Sequence, residues 1–199
     1  YGPRHLDVAA SARELATALW LSGHEAEAEP YFRESLATLR AAHPAGDPRL
    51  ALALANYGGR LMARGRHRDA IPHLREAAAI AARDLPPDDP LTGVYQGTYG
   101  NALRQAGEYA AAEPVLREAE ARLRLARAPG GVMALRVRVY LGDVLRARGR
   151  PREAEAVLLP AYTQLAAERG VANAQTQAAL RELVRLYDTA GRAADAARY

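Results

Sequence analysis

The 199-residue sequence holds no cysteine, no lysine, one Trp and one Phe. Without cysteine there is no disulfide, no thiolate nucleophile and no thiolate zinc site, and the redox compartment stays open. No apolar run approaches the roughly 20 residues of a membrane helix, and no secretory signal pattern is visible at the start. Aromatics make up only 6%, although 49% of the residues are hydrophobic. A globular core built around large side chains would look different. Nearly half of the apolar share is alanine, 46 residues, the best helix former and small enough to let helices approach closely. The 16 Gly and 12 Pro are too few for a collagen-like or low-complexity chain. All 27 basic residues are arginine and the net charge is +4, a mild excess rather than a nucleic-acid tail. Arginine without lysine, beside so much alanine, also follows from the codon bias of a GC-rich genome. The chain opens on Tyr1 without Met, in the middle of a unit, and is read as a fragment of a longer protein.

What is present is a repeat. Gly23, Gly65, Gly107, Gly149 and Gly191 stand 42 residues apart. Five residues after each is an alanine: Ala28, Ala70, Ala112, Ala154 and Ala196. Nine after the first four stand Phe32, Leu74, Leu116 and Leu158. Four before stand Leu19, Leu61, Leu103, Leu145 and Tyr187, and eight before stand Leu15, Tyr57, Tyr99, Leu141 and Leu183. Columns in register without insertions mean that each unit packs on the next in one geometry.

Inside a unit the spacing is helical, because Leu141 and Leu145, or Ala28 and Phe32, are i,i+4 pairs. Each unit reads as helix A, a turn at the glycine, and helix B. Glycine suits a helix end that needs positive φ, and alanine lets helix B lie close to helix A. Asp47-Pro48, Asp89-Pro90, Gly131-Val132 and Asn173-Ala174 repeat at the same period and supply N-caps. These signals predict helix A at about 48–63, 90–105, 132–147 and 174–189, with an earlier copy at about 6–21. Helix B is predicted at about 25–41, 67–83, 109–127 and 151–168, with a stub at 193–199. No strand is expected.

These columns resemble the tetratricopeptide repeat. The third unit carries Tyr99-Gly100, Leu103, Gly107, Ala112, Leu116 and Ala119. The second carries Tyr57-Gly58, Leu61, Gly65, Ala70, Leu74 and Ala77, and the fourth Leu141-Gly142, Leu145, Gly149, Ala154, Leu158 and Ala161. Units 1 and 5 depart, with Ala16 and Val184 in place of the first glycine. The period of 42, the phrases Ala28-Glu29-Pro30 and Ala112-Glu113-Pro114, and the opening His5-Leu6-Asp7-Val8-Ala9 are similar to the kinesin-light-chain type of the repeat. The stretch Ala179–Tyr187, with Gly191-Arg192 and Tyr199, is similar to the end of arrays that follow bacterial serine/threonine kinase domains. The resemblance implies an all-α, right-handed superhelical solenoid of antiparallel helix pairs. It would be one domain over 1–199, with units at about 6–47, 48–89, 90–131, 132–173 and 174–199.

The resemblance also implies that helix A lines a concave, peptide-binding groove, at positions 13, 10, 9, 6, 3 and 2 before the turn glycine. Mapped onto this chain, unit 1 offers Arg13, Thr17 and Trp20, and unit 2 offers Asn56, Gly59 and Met62. Unit 3 offers Asn101, Arg104 and Gln105, unit 4 Arg136, Tyr140, Asp143 and Arg146, and unit 5 Arg181, Arg185 and Asp188. Asparagine can pair with both groups of an extended backbone, and arginine forks match carboxylates. The implied partner is a protein segment or acidic peptide, held by a basic lining. The alternative is that these arginines form a solvated face. Trp20 is either a stacking platform or packing against a neighbouring helix. Tyr57 and Tyr99 are expected in the core, and Gly58-Gly59 is expected to be a packing pair.

Catalytic readings find no footing. His5, His24, His43, His67 and His73 lack zincin spacing, and no nucleophile elbow, phosphate loop or kinase signature occurs. Glu25, Glu27 and Glu29 spread around helix B. No cofactor, metal, small-molecule substrate or enzymatic activity is expected of this segment. The functional expectation is a cytoplasmic interaction scaffold, the docking or sensor region of a bacterial kinase. It would lie outside the cytoplasm if the parent spans a membrane. Self-association through exposed solenoid ends and RNA binding by helical repeats are the alternatives.

Overall fold

A computed structural model describes residues 6–42, 47–125 and 131–198. His5, His43 and Tyr199, and with them part of the expected opening, loop and ending, lie outside the described residues. The chain falls into two compact units, Tyr1–Leu85 and Pro86–Tyr199. The first holds α1 (Leu6–Leu21), α2 (Glu25–Ala42), α3 (Pro48–Ala63) and α4 (His67–Asp84). The second holds α5 (Pro90–Gln105), α6 (Tyr109–Leu125), α7 (Val132–Ala147), α8 (Pro151–Arg169), α9 (Ala174–Thr189) and α10 (Ala193–Ala196). The fold is an all-α solenoid of helix pairs, with no strand among the described residues. None of its helices is long and apolar enough to cross a membrane.

The five A helices, α1, α3, α5, α7 and α9, occupy the intervals read from the sequence, because both ends are written locally. At their N-termini Asp47, Asp89 and Asn173 accept from the backbone N–H groups of Arg49, Leu91 and Gln175 at 2.7, 2.8 and 2.9 Å. Gly131, without a side chain, gives no such cap. At their C-termini all five turn glycines have φ between +69° and +86°. The N–H of the next residue reaches five residues back, as from Arg66 to the Leu61 carbonyl (2.9 Å) and from Arg150 to that of Leu145 (3.0 Å). This is the Schellman closure, which only a left-handed residue completes. Among the B helices α4 and α8 end one residue beyond expectation, at Asp84 and Arg169, α2 and α6 run to the edge of the described residues, and α10 is Ala193–Ala196.

The A–B seam explains two columns together. Ala28, Ala70, Ala112 and Ala154 are fully buried. A Cβ added to Gly58 would lie 2.6 Å from Leu74 Cγ, and one on Gly100 would lie 2.6 Å from Leu116 Cδ2. Glycine on helix A thus makes the recess that the leucine of helix B fills. Four column members depart from a core role, Leu19 and Ala196 among them, both half-buried. Leu15 is 45% exposed, since no earlier hairpin precedes α1 among the described residues. Tyr99 is only half-buried, whereas Tyr57 is buried against the preceding hairpin, its ring 4.8 Å from that of Phe32.

Neighbouring pairs are also joined by ions. Arg66 reaches back to Glu29 (3.1 Å) and forward to Asp69 (2.7 Å). The same triad recurs at Arg150 with Glu113 (2.7 Å) and Glu153 (2.6 Å). It recurs again at Arg192 with Glu155 (2.5 Å) and Asp195 (2.7 Å). Each arginine stands just after a turn glycine, so the Schellman turn aims it at both carboxylates. The phrase Glu-Pro in helix B is therefore half of a clamp between repeats. In the same columns unit 2 of the repeat has Ile71 and unit 3 has Glu108.

Candidate functional site: the A-helix faces

In the second compact unit, α5, α7 and α9 present Asn101, Arg104, Gln105, Arg136, Tyr140, Asp143, Arg146, Arg181, Arg185 and Asp188. At its centre Asp143 is buried and accepts from Arg104 Nη1 and Arg146 Nη2, each at 2.5 Å. Burial alone would raise the Asp143 pKa, but the hydrogen bonds and charges of Arg146 and Arg104 outweigh it and hold the carboxyl below its ordinary value. Arg104 also donates to Asn101 Oδ1 at 3.0 and 3.1 Å and lies 5.1 Å from the centre of the Tyr140 ring. Both arginines are committed to structure, which corrects the expectation of a uniformly basic lining. Asn101 is likewise occupied by Arg104.

Beside this cluster stands Glu182, nine residues before Gly191 and therefore on the groove register, yet absent from the residues singled out in the sequence. Its Oε1 accepts from Arg185 at 3.0 Å, while its Oε2 is buried without a partner. Burial, joined by the charge of Asp143, pushes the Glu182 carboxyl above its ordinary value, and Arg185, Arg104 and Arg146 oppose this. The outer ring is more open. Arg136 is exposed and donates to Tyr140 Oη at 2.8 Å. Arg185 and Arg181 are exposed, and among the described residues no carboxylate pairs with Arg181. Gln105 and Asp188 are also exposed.

In the first unit, α1 and α3 present Arg13, Thr17, Trp20, Asn56, Gly59 and Met62. Trp20 does not serve as a stacking platform. It is 4% exposed, and its ring meets Phe32 at 6.0 Å and Tyr57 at 6.5 Å, edge-on to both. So large an apolar ring beside small neighbours turns inward, because that removes most of its surface from water. Gly59 is not part of a packing pair either: nothing lies within 4 Å of where its Cβ would be. Asn56 is exposed, Met62 and Thr17 are half-buried, and Arg13 approaches Glu14 only at 4.0 Å. A cavity of about 520 Å³ opens here, lined by Trp20, Leu21, Asn56, Gly59, Arg60 and Arg64 among others. Arg60, which the register did not mark, is a wall of it. Among the described residues no cluster of three or more His, Asp or Glu is placed to hold a metal.

Stacked A–B pairs with polar, partly unpaired A faces define a helical-repeat binding architecture. Tetratricopeptide-repeat family models match residues 8–49 and 49–124, more than half of the chain, and the chain belongs to that family. Solved structures extend the likeness over its length. One is of kinesin light chain nearly identical TPR-like repeats from Podosopora anserina, 21% identical over 98% of this chain and 91% of that one, with a TM-score of 0.78. Another is BtubC of P. vanneervenii, 18% identical over 96% and 77%, with a TM-score of 0.77. A third is PilF of Pseudomonas aeruginosa, 24% identical over 96% and 72%, with a TM-score of 0.62. No curated protein matches the sequence.

Proposed function

We propose that the chain is a non-catalytic protein-interaction scaffold that binds an extended, acidic segment of a partner protein on the faces of its A helices. The observation that carries this reading is the set of exposed guanidiniums on α7 and α9. Arg181 has no carboxylate partner among the described residues. Among the described residues Arg185 pairs with the neighbouring Glu182 at 3.0 Å, and Arg136 meets Tyr140 through its hydroxyl and ring but no carboxylate. Arg136 and Arg181 are exposed and spend no ion pair, so they can turn toward a ligand carboxylate and bind it through two parallel hydrogen bonds, with Arg185 beside them.

The experiment combines Arg136→Gln and Arg181→Gln, leaving Arg185 in place because it holds the half-buried Glu182. Capture of acidic peptides is expected to fall sharply while the circular-dichroism melt stays in place. An unchanged set of captured peptides overturns the reading. Arg104 and Arg146 are unsuitable for this test, because reversing them strands Asp143 as a buried unpaired charge. The ending at 179–199, similar to kinase-linked arrays, supports placing this scaffold as the cytoplasmic docking region of a bacterial serine/threonine kinase. Whether the same gene product carries a kinase domain tests that placement, and a product without one overturns it.

A further inference from the structure

Arg60 breaks the pattern of its own column. Five residues before the turn glycine the other units carry Ala18, Ala102, Val144 and Leu186, and the last three are essentially fully buried. An arginine at a position the repeat otherwise fills with apolar side chains needs a reason. Its guanidinium is half-buried and donates one long hydrogen bond, Nη2 to Thr17 Oγ1 at 3.3 Å. It lies 5.8 Å from the centre of the Phe32 ring, and no carboxylate among the described residues pairs with it. Its neighbour Arg64, by contrast, is tied to Glu25 at 2.6 Å. A partly desolvated charge without a counter-ion is unfavourable, and the remaining N–H fork fits a carboxylate.

Gly59, one residue away, makes the second observation. It sits inside α3 with an ordinary helical backbone, and a Cβ there would touch nothing within 4 Å. Alanine would stabilise the helix by about 0.5–1 kcal/mol. What glycine keeps is room in the cavity of about 520 Å³, a size typical of ligand sites. The apolar wall is aliphatic: Leu21 is 75% exposed, and Ala55 and Ala63 complete it. Trp20, mostly buried, offers no ring face for stacking.

We infer that the cavity between α1 and α3 is a subsite for an aspartate or glutamate flanked by a branched aliphatic residue, with Arg60 selecting the carboxylate and Gly59 keeping the space open. This rests on the interaction-scaffold reading above and names a determinant of its specificity. The probes are three pools of synthetic twelve-residue peptides. Each places Leu, Ile or Val beside either Asp/Glu, Asn/Gln or Lys/Arg, and all are offered to the 199-residue chain, Arg60→Gln and Gly59→Leu. The wild-type chain is expected to enrich the acidic pool. Affinity for the enriched peptides should fall about tenfold or more in Arg60→Gln, as for loss of a charged hydrogen bond, and also in Gly59→Leu. The melt of Gly59→Leu should hold or rise, so its loss of binding is not unfolding. If both variants bind as the wild type does, or if the neutral pool binds equally well, the subsite assignment is wrong while the scaffold reading stands. If no pool is enriched over a control protein, both fall.

Discussion

Gly58 and Gly59 are adjacent on α3, and the geometry gives them opposite signs on substitution by alanine. At Gly58 the new methyl would meet Leu74 Cγ at 2.6 Å and Cδ2 at 2.7 Å. Leu74 is fully buried, so it has little freedom to swing away. Overpacking of this kind costs about 1–3 kcal/mol, and the helix-propensity gain of alanine over glycine returns about 0.5–1 kcal/mol. Gly58→Ala should therefore lose about 1–2 kcal/mol. At Gly59 only the propensity gain acts, so Gly59→Ala should gain about 0.5–1 kcal/mol. The gap of about 2 kcal/mol between neighbouring residues is roughly one molar in urea midpoint for a slope of about 1–3 kcal/mol per molar. The assay is tryptophan fluorescence in urea. Trp20 is the sole tryptophan and is packed on Tyr57 of the same helix as both glycines, so its emission follows the first unit alone. If both variants shift the midpoint in the same direction, the seam yields to a methyl group, and glycine is not what sets the approach of helices A and B.

Ala112→Glu should cost about 3 kcal/mol or more, because it drives a carboxylate into a position with no solvent exposure; a circular-dichroism melt within a degree of the wild type would reject the seam. Burial would raise Glu113, but hydrogen bonds from Arg117 and Arg150 prevail and hold it below its ordinary 4.5, so the unfolded chain takes up the proton first. Its contribution should be complete above about pH 4.5 and be lost as the pH falls through the lower folded value, and Glu113→Gln should flatten that limb of a urea-midpoint-against-pH curve. His73, whose ring is 4.9 Å from that of Tyr57, is lowered from its ordinary 6.5 by burial and then by Arg40, with Glu76 opposing. Stability should be complete above about pH 6.5 and decline as the pH falls toward the folded value, a slope read by Trp20 emission and absent in His73→Gln.

The A helices were legible to the residue because each boundary depends on nearby atoms alone. An Asp or Asn caps the start of α3, α5 and α9, and a glycine with positive φ closes the end of all five. The ends of α4 and α8 carry no such repeated residue and drift by one position. Contacts between repeats were written less openly. The Glu29–Arg66, Glu113–Arg150 and Glu155–Arg192 pairs all share an offset of 37 residues, five short of the period. A search for columns at 42 passes over them, whereas a search for charge pairs at any constant offset would have found them. The functional face shows the same division. The register places a side chain on the A-helix face but does not say what it touches there. Asp143 takes Arg104 from 39 residues away as well as Arg146 from the next turn, and a count of arginines against aspartates is blind to that. Trp20 lies on the same register and turns inward, because the aromatic pair Phe32 and Tyr57 offers it more contact than water does. Arg60 runs the other way. The column assigns it to the core, and only its polarity, set against the apolar residues at the same position in the other units, marks it as exceptional. In a repeat protein each unit serves as the control for the others, so the informative residue is the one that departs from its column where a cavity opens.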